Sequence, residues 1–434
     1  MNKKNLTSGL AAATSTLLGI SPTNALSADN DWSLSSSVFF YSEEDSRVND
    51  ASLKALLKRD LDEESSISIN AQVDTLSGAS PNGATPTGSV QTFSRPSGKG
   101  EYTAKANETP LDDTFHDTRG ALSGSWTRQN SRSLSSTIGA SVSSEFDYLH
   151  LGINGSVAQE INQNNTTLNA GLALSFDNYS PVGGTPTPLA PMTISDRPEN
   201  RDEEDDDEEN GPNTDKTITD VVLGVSQVLN RRAIAQLNYS FSQADGYLND
   251  PYKVLSVVDG NTGELLSPTD AGSSYLYEKR PDKRTSHNLF GKIKVHLDKD
   301  IVDLSYRYHT DDWDISSHTL DFHYRYMLSG GKYLEPHLRY YKQTAAKFHE
   351  YFLISGEIPE FASADYRLAE FSATTIGLKI GKEFDEDKSI SARLEFYQAS
   401  GTDHPDEAIG VLKDQDLYPE VQAWILQANY SFRF

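Results

Sequence analysis

The sequence predicts an all-β protein, a transmembrane antiparallel β-barrel of about 16 strands with short periplasmic turns and long extracellular loops. Three observations predict it. Apolar and polar residues alternate along segments of about ten to fifteen residues, long enough to cross a bilayer at a tilt and longer than soluble strands of about five or six. The connections between these segments switch between short and long. The chain also ends on an aromatic strand, WILQANYSFRF. Trp424, Leu426, Ala428, Tyr430, Phe432 and Phe434 share one face of it, and Ile425, Gln427, Asn429, Ser431 and Arg433 share the other.

In chain order, residues 1–28 read as a signal peptide: basic Lys3 and Lys4, an apolar stretch from Leu10 to Ile20, and small residues around Ala25 to Ala28. That stretch is too short and too rich in Ser and Thr to span a bilayer. Residues 29–434 then form a single barrel domain. Strands are expected at 32–42, 48–58, 65–76, 118–129, 132–144, 147–161, 166–179 and 216–229. The second half adds 232–245, 285–297, 300–312, 315–328, 332–344, 369–383, 388–399 and 419–434. The second strand rests partly on parity. Ala51, Leu53, Ala55 and Leu57 alternate with Ser52, Lys54 and Leu56, and Asp60 to Glu64 supply a turn. Counting it makes the total even, as both termini in the periplasm require. Long loops fall at 77–117, 180–215, 246–284, 345–368 and 400–418.

Composition narrows the partners. The formal charge is −25, and removing Lys3 and Lys4 leaves about −27, which argues against nucleic acid. An acidic outer face instead suits divalent cations beside lipopolysaccharide. With no Cys in the chain, disulfides and a lipoprotein anchor are excluded. The acidic run Arg201 to Glu209 reads as a solvated loop tip, since its spacing fits no calcium loop.

The alternation also sorts the candidate site residues. Val302, Leu304, Tyr306 and Tyr308 share a face, as do Leu320, Phe322, Tyr324 and Tyr326, and then Leu334, Pro336, Leu338 and Tyr340. The opposite faces carry Asp303, Arg307 and His309, then Asp321, His323 and Arg325, then Glu335, His337 and Arg339, with Lys292 and Lys294 on the preceding strand. In a membrane barrel the charged face lines the lumen, so these eleven residues are the pore-lining candidates. Rows of opposite charge either pair across the sheet and brace a wet interior or bias which ions pass. The basic members make a locally basic lumen that favours anionic solutes. His309, His323 and His337, on neighbouring strands, read either as a metal or proton-handling cluster or as part of a hydrogen-bonded wall. Loop 77–117, about forty residues long, reads either as a constriction folded into the barrel or as a surface cap.

Longer stretches carry a resemblance. These are VDTLSGASPNGA at 73–84, QTFSRPSG at 91–98, Pro110 and Leu111 followed by DDTFHDTR at 112–119, DGYLNDPYKVLSV at 245–257 and EKRPDKR at 278–284. They continue with DDWDISSHT at 311–319, EPHLRYYKQTAAKFHEYF at 335–352 and DYRLAEF at 365–371. Together they resemble a bacterial family classed as a domain of unknown function and described as outer-membrane barrels. The resemblance covers nearly the whole chain after the leader, and it implies a barrel fold and an outer-membrane location but no activity. The acidic run is not part of that pattern.

The expected function is therefore a porin-like channel for small hydrophilic solutes. The alternative is a scaffold that holds a lipoprotein or periplasmic partner, with any redox role supplied by that partner. A lumenal hydrolase is the weakest reading. G-x-S-x-G, H-E-x-x-H and P-loop motifs are all missing, so no enzyme and no cofactor is expected. The terminal residues Tyr430, Phe432 and Phe434 read as the signal for the barrel-assembly machinery.

Overall fold

The computed structural model describes residues 32–44, 47–95, 100–181, 184–192, 214–266, 274–384 and 388–434. The leader at 1–28 and the acidic run at 201–209 lie outside the described residues. The strands of the first half are β1 (Trp32–Glu43), β2 (Asn49–Asp60), β3 (Ser65–Ser77), β4 (Gln91–Ser94), β5 (Glu101–Ala104), β6 (His116–Ser131), β7 (Leu134–Ser144), β8 (Tyr148–Ile161), β9 (Thr166–Tyr179), β10 (Thr214–Asn230) and β11 (Ala233–Gly246). The second half adds β12 (Val254–Val258), β13 (Tyr275–Tyr277), β14 (Lys283–His296), β15 (Ile301–Asp311), β16 (Ser316–Met327), β17 (Lys332–Gln343), β18 (Leu353–Ile354), β19 (Phe371–Glu383), β20 (Lys388–Gly401) and β21 (Val421–Arg433).

Sixteen of these strands close into one barrel, in the order β1-β2-β3-β6-β7-β8-β9-β10-β11-β14-β15-β16-β17-β19-β20-β21. Each barrel strand coincides with one expected from the alternation, to within two residues at either end. β2, the strand that rested on parity, pairs in register with both β1 and β3. The terminal strand β21 closes the ring on β1, from Ser33 opposite Arg433 to Glu43 opposite Ala423. Trp32 and Phe434 finish the seam by exchanging both backbone hydrogen bonds at 2.8 Å. Closure leaves no unpaired edge, which a lipid-immersed sheet requires.

One face of the closed sheet is an apolar belt turned outward. Leu53, Leu122, Leu237, Leu338 and Leu394 are all exposed, and Ile153 and Ile376 reach 61% and 60%. In water a continuous belt of this kind would be strongly unfavourable; against acyl chains it is the stable arrangement. The tight turns show why their residues were chosen. Asn162, Gln163 and Asn164 all adopt positive φ (52°, 56° and 62°) between β8 and β9, a conformation that Asn tolerates well. At Gly331, with φ of 72°, a Cβ would stand 2.2 Å from the Glu383 carbonyl oxygen, so only glycine fits.

The buried core lies in the loops rather than in the barrel. The long loops carry short strands of their own, β4, β5, β12, β13 and β18. β12 pairs antiparallel with β13 and parallel with β18, which joins two loops into one small sheet. Phe93, Ala104, Met192, Val254 and Tyr275, drawn from three loops, form one buried cluster. Val258, Phe352, Ala408 and Leu412 form another. These loops make a roof that descends into the mouth of the barrel. Tyr366 packs on Ala373, Ala399 and Val421 of the wall. The Gln343 side chain donates to the carbonyls of Arg367 and Ala369 at 3.0 and 2.8 Å.

Candidate functional site

The eleven candidate residues all lie on the face opposite the apolar belt, and the structure sorts them into pairs. Lys292 binds Asp303 at 2.9 Å, and Lys294 stands directly opposite Asp303 in register. Arg325 reaches Glu335 at 2.5 Å, and Arg339 reaches Asp321 at 2.6 Å. Arg307 lies over the Phe290 ring instead, 5.7 Å from its centroid. Lys379, Arg393 and Glu395 on β19 and β20, which the sequence reading left out, continue the same charged face; Arg393 stands 3.6 Å from Glu395.

The three histidines do not converge as a trio. His323 and His337 stack with centroids 4.1 Å apart, because the register of β16 and β17 sets them opposite each other. His309 is set opposite Ser317 instead. It stands 3.0 Å from the Asn288 side-chain oxygen and 3.4 Å from Asp311. His323 itself is set opposite Asp303, so His309 lies well along the strand from the pair and shares only its face.

The opposite wall differs in kind. Along β6 to β11 the interior face is built of small residues such as Ser123, Ser141, Gly152, Ala173 and Gly224. Within it lies an arrangement that no motif signalled. His150 Nδ1 stands 2.6 Å from Asp177, and His150 Nε2 stands 3.4 Å from Ser141 Oγ. Gly152 lies opposite Ser141, and a Cβ there would come within 2.5 Å of the Ser141 hydroxyl. Lys216 also binds Asp177, at 3.0 Å.

Between roof and wall lies a chamber of about 670 Å³, bounded by Lys216, Arg284, His309 and Tyr341 below and by Asp250 and Arg367 above. A second cavity of about 310 Å³ lies between loop 78–115 and the short turn after β7. The two share Phe115, Asp117, Asp147, Pro251 and Tyr252. At this neck the Tyr252 hydroxyl donates to Asp147 at 2.8 Å. The outer turn between β7 and β8 is short, and Phe146 and Asp147 in it line the cavity.

A buried ionic node holds the roof together. Asp365 is bound by Arg280 at 2.9 Å and by Arg367 at 2.6 Å, and Arg367 also reaches Asp250 at 2.7 Å. The Lys253 ammonium donates to Ser80 Oγ and to the Pro81 carbonyl at 2.8 and 2.5 Å, tying in the loop 78–115. Burial alone would raise the Asp365 carboxyl, but Lys253, Arg367 and Arg280 hold it well below the usual range. Burial pushes Glu278 up to about 7, against the pull of Arg280, and pushes His349 down to about 4. Sequence reasoning missed the node, although its members fall in three stretches that carry the family resemblance: DGYLNDPYKVLSV, EKRPDKR and DYRLAEF.

Residues 7–432 match the family described as "Protein of unknown function (DUF3570)", and the chain belongs to it. No curated protein matches the chain. Among solved structures it is similar to a bacterial polysaccharide outer membrane secretin, at 12% identity and a TM-score of 0.45 over 93% of this chain and 99% of that one. It is similar to Pseudomonas aeruginosa OpdK with vanillate, at 8% identity and a TM-score of 0.40 over 93% and 98%. It is also similar to the siderophore receptor PirA from Acinetobacter baumannii, at 10% identity and a TM-score of 0.40 over 87% of this chain and 54% of that one. At these scores the likeness says nothing about what this chain binds or passes.

Proposed function

Taking membership of that family as the premise, we propose that the chain is a porin-like channel of the bacterial outer membrane for small hydrophilic solutes, with a preference for anions. The contrast between the two interior walls carries this reading. A ring of sixteen strands is wide enough to enclose an aqueous path. Here one wall is lined with small residues and leaves room, while the other projects a dense field of charge into the lumen. Such rows set ion preference at close range. On the charged wall Lys294, Arg307, Lys379 and Arg393 supplement the cations already paired with Asp303, Asp321 and Glu335. The chamber and its neck supply the outer approach.

The experiment is planar-bilayer recording of the purified protein without a partner. Discrete conductance steps are expected. A silent bilayer from folded protein would overturn the channel.

The roof across the mouth favours a second reading, a barrel that scaffolds a lipoprotein or periplasmic partner beneath it. Its signature is a stoichiometric second chain in the purified material. Catalysis is not part of the proposal. Lys216 occupies the carboxylate behind His150, so Ser141 is expected to resist fluorophosphonate labelling. The rings of Tyr430, Phe432 and Phe434, spaced 5.3 and 5.2 Å apart, are read as the signal for the assembly machinery. The belt is read as its lipid contact, and the acidic loops as its contact with lipopolysaccharide through divalent cations.

A further inference from the structure

We infer that the barrel interior holds a divalent transition-metal site formed by His323, His337 and Asp321. His323 and His337 face each other across β16 and β17, and Asp321 lies two residues before His323 on the same face. The two rings stack parallel to within 2°, so one must tilt about its Cβ–Cγ bond to bring both Nε2 lone pairs onto one ion. His323 Nε2 stands 2.9 Å from one Asp321 oxygen, and His337 Nε2 stands 3.2 Å from the other. One ligand atom from each of the three residues lies within 4.8 Å of the others. Two imidazoles and one carboxylate suit a borderline ion such as Zn²⁺, whereas Ca²⁺ and Mg²⁺ select all-oxygen sites.

The groups behind the rings point to the same assignment. A metal-bound histidine almost always gives its other ring nitrogen to a carboxylate or carbonyl, which fixes the tautomer and aims the ring. His337 Nδ1 stands 2.6 Å from Glu395. His323 Nδ1 is buried without a hydrogen bond, with Glu335 at 3.7 Å. Each ring thus turns Nε2 toward the shared carboxylate and Nδ1 toward its own glutamate.

The contact with Glu395 crosses an entire strand. Gly377 lies in register between His337 and Glu395, and a Cβ there would stand 2.6 Å from Glu395 Cγ. The missing side chain at Gly377 is what lets the glutamate reach the ring. Arg339 is the neighbour that must yield. It binds Asp321 at 2.6 Å, but its side chain is 53% exposed and is free to swing into the lumen.

The site concerns binding alone and stands whether or not the barrel conducts. The test is calorimetric titration of untagged, chelator-stripped, detergent-folded barrel with ZnCl₂. One zinc per barrel is expected. Glu395→Gln should weaken binding by about 10- to 100-fold, and His323→Ala with His337→Ala should abolish it. His309→Ala, outside the cluster, should bind like the parent. Retention of heat-dependent gel mobility shows that each variant keeps its barrel. The site is overturned if the parent shows no saturable zinc binding, if binding survives loss of both histidines, or if Ca²⁺ binds equally well.

Discussion

The two interior walls of this barrel share one sheet and one apolar belt, yet they differ in what they offer the lumen. From β6 to β11 most inward positions are Ser, Thr, Gly, Ala and Asn, with apolar Val222 and Ile234 and scattered charges such as Arg119, Glu160, Asp177, Lys216 and Asp220. From β14 to β20 Lys, Arg, His, Asp and Glu are concentrated among them, tied together by short ion pairs. The outward positions of both walls are equally apolar, so the bilayer does not explain the contrast. On the proposed channel reading, one wall makes room and the other sets the field, with the roof across the approach to both.

The largest effect should come from reversing the inward and outward faces of one strand. Leu378 and Lys379 are neighbours at the middle of β19, with Leu378 47% exposed on the belt. Leu378→Arg should cost about 2–4 kcal/mol in urea unfolding from vesicles. Lys379→Met on the lumenal face should cost under about 1 kcal/mol and register in ion preference instead. Equal costs would erase the distinction between the faces.

Removing residues 80–112 tests whether the walls or the roof limit passage. That segment contributes Phe93 and Ala104 to a roof cluster and both acceptors of the Lys253 ammonium. Single-channel conductance should rise. An unchanged conductance would mean that this part of the roof lies off the path.

Acidity should loosen or tighten the roof according to which buried group is left. Glu278 is raised to about 7. Its contribution is full below the ordinary carboxylate range and is lost as pH climbs through about 7. His349, lowered to about 4, contributes fully above its ordinary value of 6.5, and the contribution is lost as pH falls through about 4. In the parent the two oppose each other. His349→Phe should leave a roof that weakens from pH 5 to 7, and Glu278→Gln one that weakens from pH 6.5 to 4. Each change is on the order of 2–3 kcal/mol, read by hydrogen exchange of roof amides. Matching profiles in the two variants would contradict the assignment.

The barrel was legible in the sequence because the bilayer imposes it. Strand length, outward apolarity and closure are each dictated residue by residue, so even β2 could be placed from alternation and parity. The roof was not legible. Its contacts join residues far apart in the chain, such as Lys253 and Pro81, and nothing local in either segment specifies the other. The lumen falls between these cases. Alternation placed all eleven candidates on the inward face, but register decided who meets whom. The turn between β16 and β17 brings His323 to His337. The turn between β15 and β16 leaves His309 against Ser317. Glu395 could join them only through the gap at Gly377, and no spacing in one strand announces that.

The smallest expected shift is also the most direct test of the central claim, that the charged wall governs what the lumen admits. It is the reversal potential across a planar bilayer under a salt gradient, measured for the parent and for a variant with Arg307→Gln and Arg339→Gln. The parent should prefer anions, and the variant should lose much of that preference while keeping its conductance steps. A parent that strongly prefers cations, with a reversal potential unmoved by neutralising both arginines, would contradict the account.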